Sequence, residues 1–275
     1  MKWLQQLRAE VSQHKYAINA KLLGDSSELA WSNLGYWSDA AQTYPDACRA
    51  LADHLAESVQ LTASNHVLDL GCGQGASVLH WRQHYQIQHL AAVELQAECV
   101  QRIQANFSEP QQIYCQSFLN LKQIPFQQQF DVVLCIDAAY HSHLNSFLDQ
   151  VSAVLNSNGR LGFHYLIWAD QAPAHLLKQV QYRALLKAAD VHFDDLMSET
   201  QLCSLLQQHH FQQIQIEDLS TQVLAGFADY VNQHLQHQIQ TRDVDWFKIA
   251  MTARLCAKWY ADDWVKYVQV SAVKD

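Results

Sequence analysis

Apolar residues recur along this chain in two rhythms, and the change between them divides it. Near the start, Trp3, Leu4, Leu7, Val11, Ala17, Ile18 and Leu22 follow a mostly helical spacing over residues 3–23. A loop rich in aromatics follows, Trp31-Ser32-Asn33-Leu34-Gly35-Tyr36-Trp37-Ser38. Pro45 then stands where a helix can begin, and Cys48, Leu51, Ala52, Leu55 and Val59 give that helix an apolar stripe. From Asn65 short apolar runs alternate with amphipathic segments. Strands are expected at Val67–Leu70, His89–Glu94, Gln112–Cys115, Phe130–Ile136 and Arg160–Trp168, with helices at Ala76–Tyr85, Gln96–Phe107 and Leu144–Leu155 and a turn at Asn158-Gly159. The run Phe130–Ile136 is nearly all apolar, as a strand covered on both faces must be.

The last third is less regular. Pro173–Ala189 and Ser198–His209 read as helices and Phe211–Leu219 as a strand. Residues 222–259 read as one long Gln- and His-rich helical region, and Trp264–Lys274 alternates like a half-exposed final strand. Strand–helix alternation of this kind builds a parallel sheet through right-handed crossovers, so the expected class is α/β. The helical N-terminus and the 222–259 segment look like additions lying over the ligand-binding edge. No internal repeat and no linker rich in Pro, Gly or Ser interrupts the chain. The expected organisation is one domain over 1–275, with a helical arm at 1–62, a cofactor-binding core at 63–170 and substrate-side helices and final strands at 171–275.

Composition narrows the function. With 18 basic against 27 acidic residues, the formal net charge is −9, and no Lys/Arg cluster is present to neutralise phosphates, so a nucleic-acid substrate is not expected. The seven cysteines are scattered and include no C-x-x-C pair, which argues against a disulfide framework and a thiolate zinc site and for a reducing cytoplasm. No stretch approaches ~18 consecutive apolar residues, so membrane insertion is not expected. The N-terminus lacks the apolar core of a signal peptide.

Three of the eight glycines fall within Asp69-Leu70-Gly71-Cys72-Gly73-Gln74-Gly75, between an expected strand and helix. Open parallel sheets bind ligands there, at strand carboxyl ends and against a helix N-terminus. Glu94 ends the next strand, where a carboxylate can accept hydrogen bonds from both hydroxyls of a ribose. Loop and carboxylate together point to an adenosine-type cofactor. Gly71, Gly73 and Ala76 also satisfy a relaxed dinucleotide pattern. Against NAD stand Asp69, which would repel phosphates, the third glycine at Gly75, and the single βαβ cofactor half.

The segment V-L-D-L-G-C-G-Q-G resembles the first motif of class I S-adenosylmethionine (SAM)-dependent methyltransferases, and the likeness spans about residues 31–167 and the last strand. Asn33-Leu34-Gly35-Tyr36-Trp37 is similar to an N-terminal motif of small-molecule members acting on tocopherols, sterols and glycine derivatives. The resemblance implies a Rossmann-like, mostly parallel seven-stranded sheet with an antiparallel last strand, and SAM as cofactor. It implies that Gly71, Cys72 and Gly73 cradle the donor, that Asp69 lies near its methionine end, that Glu94 and Leu95 meet the ribose, and that Ser117 and Phe118 flank the adenine. Many members carry Asp where Ser117 stands, so the backbone or Phe118 is expected to make the adenine contact.

Methyl transfer needs donor and acceptor aligned and water excluded, and a base where the acceptor carries a proton. The loop Ile136–His143 offers these groups. His141 is the preferred base, its alternative role being to cap the next helix or bond a backbone carbonyl. Asp137 is expected to hold the donor's amino group or the substrate, Tyr140 to serve the site or pack as core, and His143 to start a helix. Tyr36 and Trp37 either face the sulfonium or anchor the N-terminal arm. His80/His84 and His234/His237 have helical metal-ligand spacing, but no third ligand is evident and they are read as solvated faces, with no metal expected. The acceptor is expected to be a small molecule; a protein acceptor or a non-catalytic SAM-binding module are the alternatives.

Overall fold

The computed structural model describes residues 19–108, 112–170, 176–237 and 244–275. Helix α1, Tyr44–Ser58, opens at Pro45 behind an N-cap at Thr43, whose side chain accepts the Asp46 N–H. It buries Cys48, Leu51, Ala52 and Leu55. The alternating core follows: β1 (His66–Leu70), α2 (Ala76–Gln83), β2 (His89–Glu94), α3 (Ala97–Asn106), β3 (Gln112–Cys115), β4 (Phe130–Cys135), α4 (Leu144–Val154) and β5 (Leu155–Trp168). Then come α5 (Leu176–Ala188), α6 (Glu199–Gln208), β6 (Phe211–Asp218), α7 (Gly226–His237), α8 (Val244–Asp262) and β7 (Val265–Lys274). Ser198 and Gln201 close a reciprocal capping box at the start of α6.

The seven strands lie in the order β3-β2-β1-β4-β5-β7-β6. Pairs within β3-β2-β1-β4-β5 are parallel, whereas β7 runs antiparallel to both β5 and β6. The expected mostly parallel sheet with an antiparallel last strand is what the chain forms. Successive side chains alternate between two cores. Val67, Ala92, Val132 and Leu134 face the layer of α1, α2, α7 and α8, and Leu68, Leu70, Val93, Val133 and Cys135 face α4. Because both faces are covered, the inner strands are mostly apolar, with Asp69 and His164 as buried polar exceptions. Chain order reverses between β1 and β4, which opens a crevice at their carboxyl ends.

Several boundaries differ from the sequence expectation. Leu155 already pairs with Phe130, and the ladder resumes at Arg160–Val132. The Asn158-Gly159 turn is therefore an irregularity inside β5, with Asn158 at φ 61°. The 222–259 region is not one helix; a π-helical turn at Thr221–Ala225 leads into α7, and α8 follows separately. Of the N-terminal helical spacing, only Ala20–Leu23 is described, as a 3-10 turn closed by left-handed Gly24; Trp3 to Ile18 lie outside the described residues. No described helix is long and apolar enough to cross a membrane.

Candidate active site

The glycine turn leaves β1 at the crevice. Gly71 donates its N–H to Val93 O at 2.8 Å, which ties the turn to β2. Its φ is +68°, and a Cβ there would stand 2.9 Å from Ala138 Cβ, so only glycine lets the β4 tip approach. Gly73, at φ +53°, comes against Ser32, whose Oγ would lie 2.7 Å from an added Cβ. Its N–H donates to Glu94 Oε2 at 2.9 Å, while Glu94 Oε1 accepts the Gln96 N–H at 2.8 Å. The buried Glu94 carboxylate thus braces the loop with one bond per oxygen and keeps a second acceptor site on each.

These groups wall a cavity of about 310 Å³. Gly71, Cys72, Gly73 and Ser77 form its floor, Glu94 and Leu95 one side, Ser117 and Phe118 another, and Asp137 and His141 the far end. Burial pushes the Cys72 thiol well above its usual pKa, which makes it a neutral wall. Phe118 lies against Gly71 and edge-on to Phe147. Ser117 uses its hydroxyl to accept the Leu119 N–H and so caps a 3-10 turn at Phe118–Gln123. The arm Ala30–Asn33 completes the cavity, a contribution that the sequence reading did not assign.

Three groups of residues singled out in the sequence lie outside this cavity. Asp69 lines neither this cavity nor the one beside it. It sits beneath the loop, 1% exposed, accepting Trp81 Nε1–H at 2.9 Å and bonding Ser77, and burial pushes its pKa up to about 6. Its role is to brace the first turns of α2. Tyr36 and Trp37 line neither cavity either. Tyr36 stacks on His54 and Trp37 on Tyr230, with ring centroids 5.0 and 4.2 Å apart, and Trp37 Nε1–H donates to Leu34 O, so both anchor the arm. His80 is no solvated face: it is 8% exposed and bonds Asp53 at 2.6 Å, with Tyr85 O–H donating to the same carboxylate. Among the described residues no cluster of His, Cys, Asp and Glu could hold a metal ion; the side chains of His234 and His237 lie outside them.

A second cavity, about 550 Å³, opens between the β4 and β5 tips, α5 and α8. Its apolar lining includes Leu34, Leu166, Leu185, Ile249, Leu255 and Trp259; Asp137, Tyr140, His141 and Tyr267 also line it, and Asp190, Asp245, Lys248, Arg254 and Lys258 add charged groups to the wall. The two cavities share Ser32, Asp137 and His141. Asp137 stands just past β4 at φ +53°. Its Oδ1 accepts from Tyr140 O–H at 2.6 Å and from Tyr267 O–H at 3.1 Å, and its Oδ2 accepts from Leu34 N–H at 2.9 Å. Burial raises its pKa against the pull of these donors. His141 lies with Nδ1 3.2 Å from Asp190 O, so Nδ1 carries the proton toward that carbonyl and Nε2 is the basic nitrogen. His143 occupies the N-cap position of α4 without capping it, and bonds Asp195 instead. Tyr267, His164 and Ser32 carried no signal in the sequence, because β7 and the arm reach the site only through the fold.

Residues 67–159, from the glycine strand to the turn before Arg160, match the model of a methyltransferase domain family. The erythromycin 3''-O-methyltransferase of Saccharopolyspora erythraea is 24% identical over 226 residues, which cover 78% of this chain and 72% of that protein. The chain carries a SAM-dependent methyltransferase domain. In fold, the methyltransferase is similar to geranyl diphosphate C-methyltransferase from Streptomyces coelicolor, solved with S-adenosyl-L-homocysteine, at a TM-score of 0.74, 14% identity and 97% coverage of each chain. It is also similar to the [4+2]-cyclase SpnF, at a TM-score of 0.68, 19% identity and coverage of 98% of this chain and 95% of that one.

Proposed function

We infer that the methyltransferase moves a methyl group from SAM, held in the 310 Å³ cavity, to a small-molecule acceptor in the 550 Å³ cavity. The observation that carries this reading is the junction of the two cavities at Ser32, Asp137 and His141. The donor set fits the cofactor. Glu94 has acceptor sites left for two ribose hydroxyls, Phe118 and Leu95 offer apolar faces for a purine, and Asp137 suits a cationic amino group. When bound, the cofactor supplies an electrophilic methyl on a sulfonium, open to in-line displacement. His141 holds its basic Nε2 at the junction to take the acceptor's proton, and the apolar walls exclude water. A volume of several hundred Å³ bounded by helices suits a drug-sized molecule better than a protein chain. The name of the S. erythraea relative supports a hydroxyl as the group methylated.

Calorimetry with SAM and S-adenosylhomocysteine tests the donor half, and a mass-spectrometric screen of cell extract with methyl-labelled SAM tests the acceptor half. Micromolar binding of both ligands and label in a small metabolite are expected. Label confined to protein would overturn the acceptor assignment, and no binding would overturn the reading altogether.

A further inference from the structure

The donor–acceptor junction depends on a residue that touches neither cavity. His164 lies in the middle of β5, 0% exposed, between Phe163 and Tyr165. An imidazole buried in a sheet needs partners for both nitrogens. Its Nδ1 accepts the main-chain N–H of Asp137 at 3.3 Å, and its Nε2 lies 3.3 Å from Gln269 Oε1 on β7. Gln269 is 2% exposed and places its Nε2 2.9 Å from His54 Nδ1 on α1. His54 Nε2 in turn stands 3.5 Å from Glu217 Oε1 on β6.

One end of this chain fixes the direction of every bond in it. A peptide N–H can only donate, so Nδ1 of His164 must be bare and Nε2 must carry the proton. That proton goes to Gln269 Oε1, which turns the Gln269 amide toward His54 Nδ1 and leaves the His54 proton on Nε2, facing Glu217. Burial drives the His164 pKa down to about 3, so the ring stays neutral and Nδ1 stays an acceptor at any working pH. The ring also lies 5.4 Å from that of Tyr267, the residue whose hydroxyl bonds Asp137 Oδ1. His164 therefore reaches Asp137 twice, once at its main chain and once through a neighbouring phenol.

We propose that His164 is a positioning residue for the transfer: it holds Asp137 in a left-handed backbone conformation that aims the carboxylate at the junction. A non-glycine residue keeps such a conformation only where its surroundings enforce it. Without an acceptor for its N–H, Asp137 relaxes and its carboxylate leaves the methionine end of the donor. The assignment rests on the reading of the 310 Å³ cavity as the SAM site, and predicts an effect confined to one end of that ligand.

The test compares S-adenosylhomocysteine, which spans the cavity, with adenosine, which reaches only the Glu94 end, as calorimetric probes of wild type, His164→Leu, His164→Asn and Gln269→Leu. His164→Leu is expected to weaken S-adenosylhomocysteine at least 10-fold and adenosine less than 2-fold. His164→Asn, which keeps an acceptor where Nδ1 was, is expected within about 3-fold of wild type for both. Gln269→Leu, which frees the tautomer, is expected to weaken S-adenosylhomocysteine about 3-fold with adenosine unchanged, and it decides the matter if His164→Leu does not fold. Equal loss of both ligands, or none, in the leucine variants overturns the assignment, as does failure of His164→Asn to recover. Wild-type protein that binds neither ligand overturns the donor-site reading, and this assignment with it.

Discussion

At the scale of single residues, two carboxylates near the strand tips are treated alike by burial and differently by bonding. Asp137 is surrounded by donors and stands where two cavities meet, whereas Asp69 is sealed under the glycine turn with Trp81 and Ser77. The pKa of Asp69, raised from 3.8 to about 6, means that its neutral form is the one the fold favours. Its favourable contribution is complete below the unfolded value near 4 and is lost as pH rises through about 6, leaving a cost on the order of 3 kcal/mol at neutral pH. Asp69→Asn keeps an acceptor for Trp81 and offers an N–H to Ser77. It is expected to stabilise the protein by roughly 1–3 kcal/mol at pH 7.5 and by nothing below pH 4, read from urea midpoints. Equal midpoints at both pH values would show that Asp69 is not a buried acid. His141→Ala should leave S-adenosylhomocysteine affinity within about 3-fold and cut turnover of the acceptor found by the label screen by about 10²–10⁴. Full activity in that variant would remove His141 as base.

Among the elements, the glycine turn and the arm act as one unit, since Gly73 leaves room for the Ser32 hydroxyl and Glu94 holds the Gly73 N–H. Gly73→Ala brings a methyl against Ser32 at a positive φ, and is expected to lower S-adenosylhomocysteine affinity at least 10-fold while costing roughly 1 kcal/mol or more of stability. Calorimetry on the folded variant measures it, and unchanged affinity would mean that the turn does not form the floor. This part of the site was legible in the sequence. Val67–Leu70, the glycines and Glu94 are neighbours along one βαβ unit, so spacing alone sets them in place. The surroundings of Asp69 were not legible, because a residue at a strand tip points to one face or the other, and only the packing of α2 on β1 reveals that it faces Trp81. Tyr36 and Trp37 were open for the same reason: an aromatic pair near a site reads identically whether it faces the ligand or clamps the loop. Helices α7 and α8 merged into one region because no proline or glycine stands between them.

For the whole molecule, acid is the revealing stress. His164 has its folded pKa near 3, against 6.5 for an ordinary imidazole, so its contribution is complete above about pH 6.5 and drains away as pH falls toward 3. Between pH 7 and 5 the loss from this one group is about 2 kcal/mol. The urea midpoint of wild type relative to His164→Asn should fall over that range; parallel curves would exclude a buried neutral ring. The feature with the widest reach is the partnership of Asp137 with Leu34, Tyr140 and Tyr267, gathered from the arm, the β4 loop and the antiparallel strand slipped between β5 and β6. Residues 67–159 precede β7 in the chain, so Asp137 lacks one of its three partners until β7 is made and inserts. The hydrogen-bond set on Asp137 is therefore complete only once synthesis has passed Tyr267.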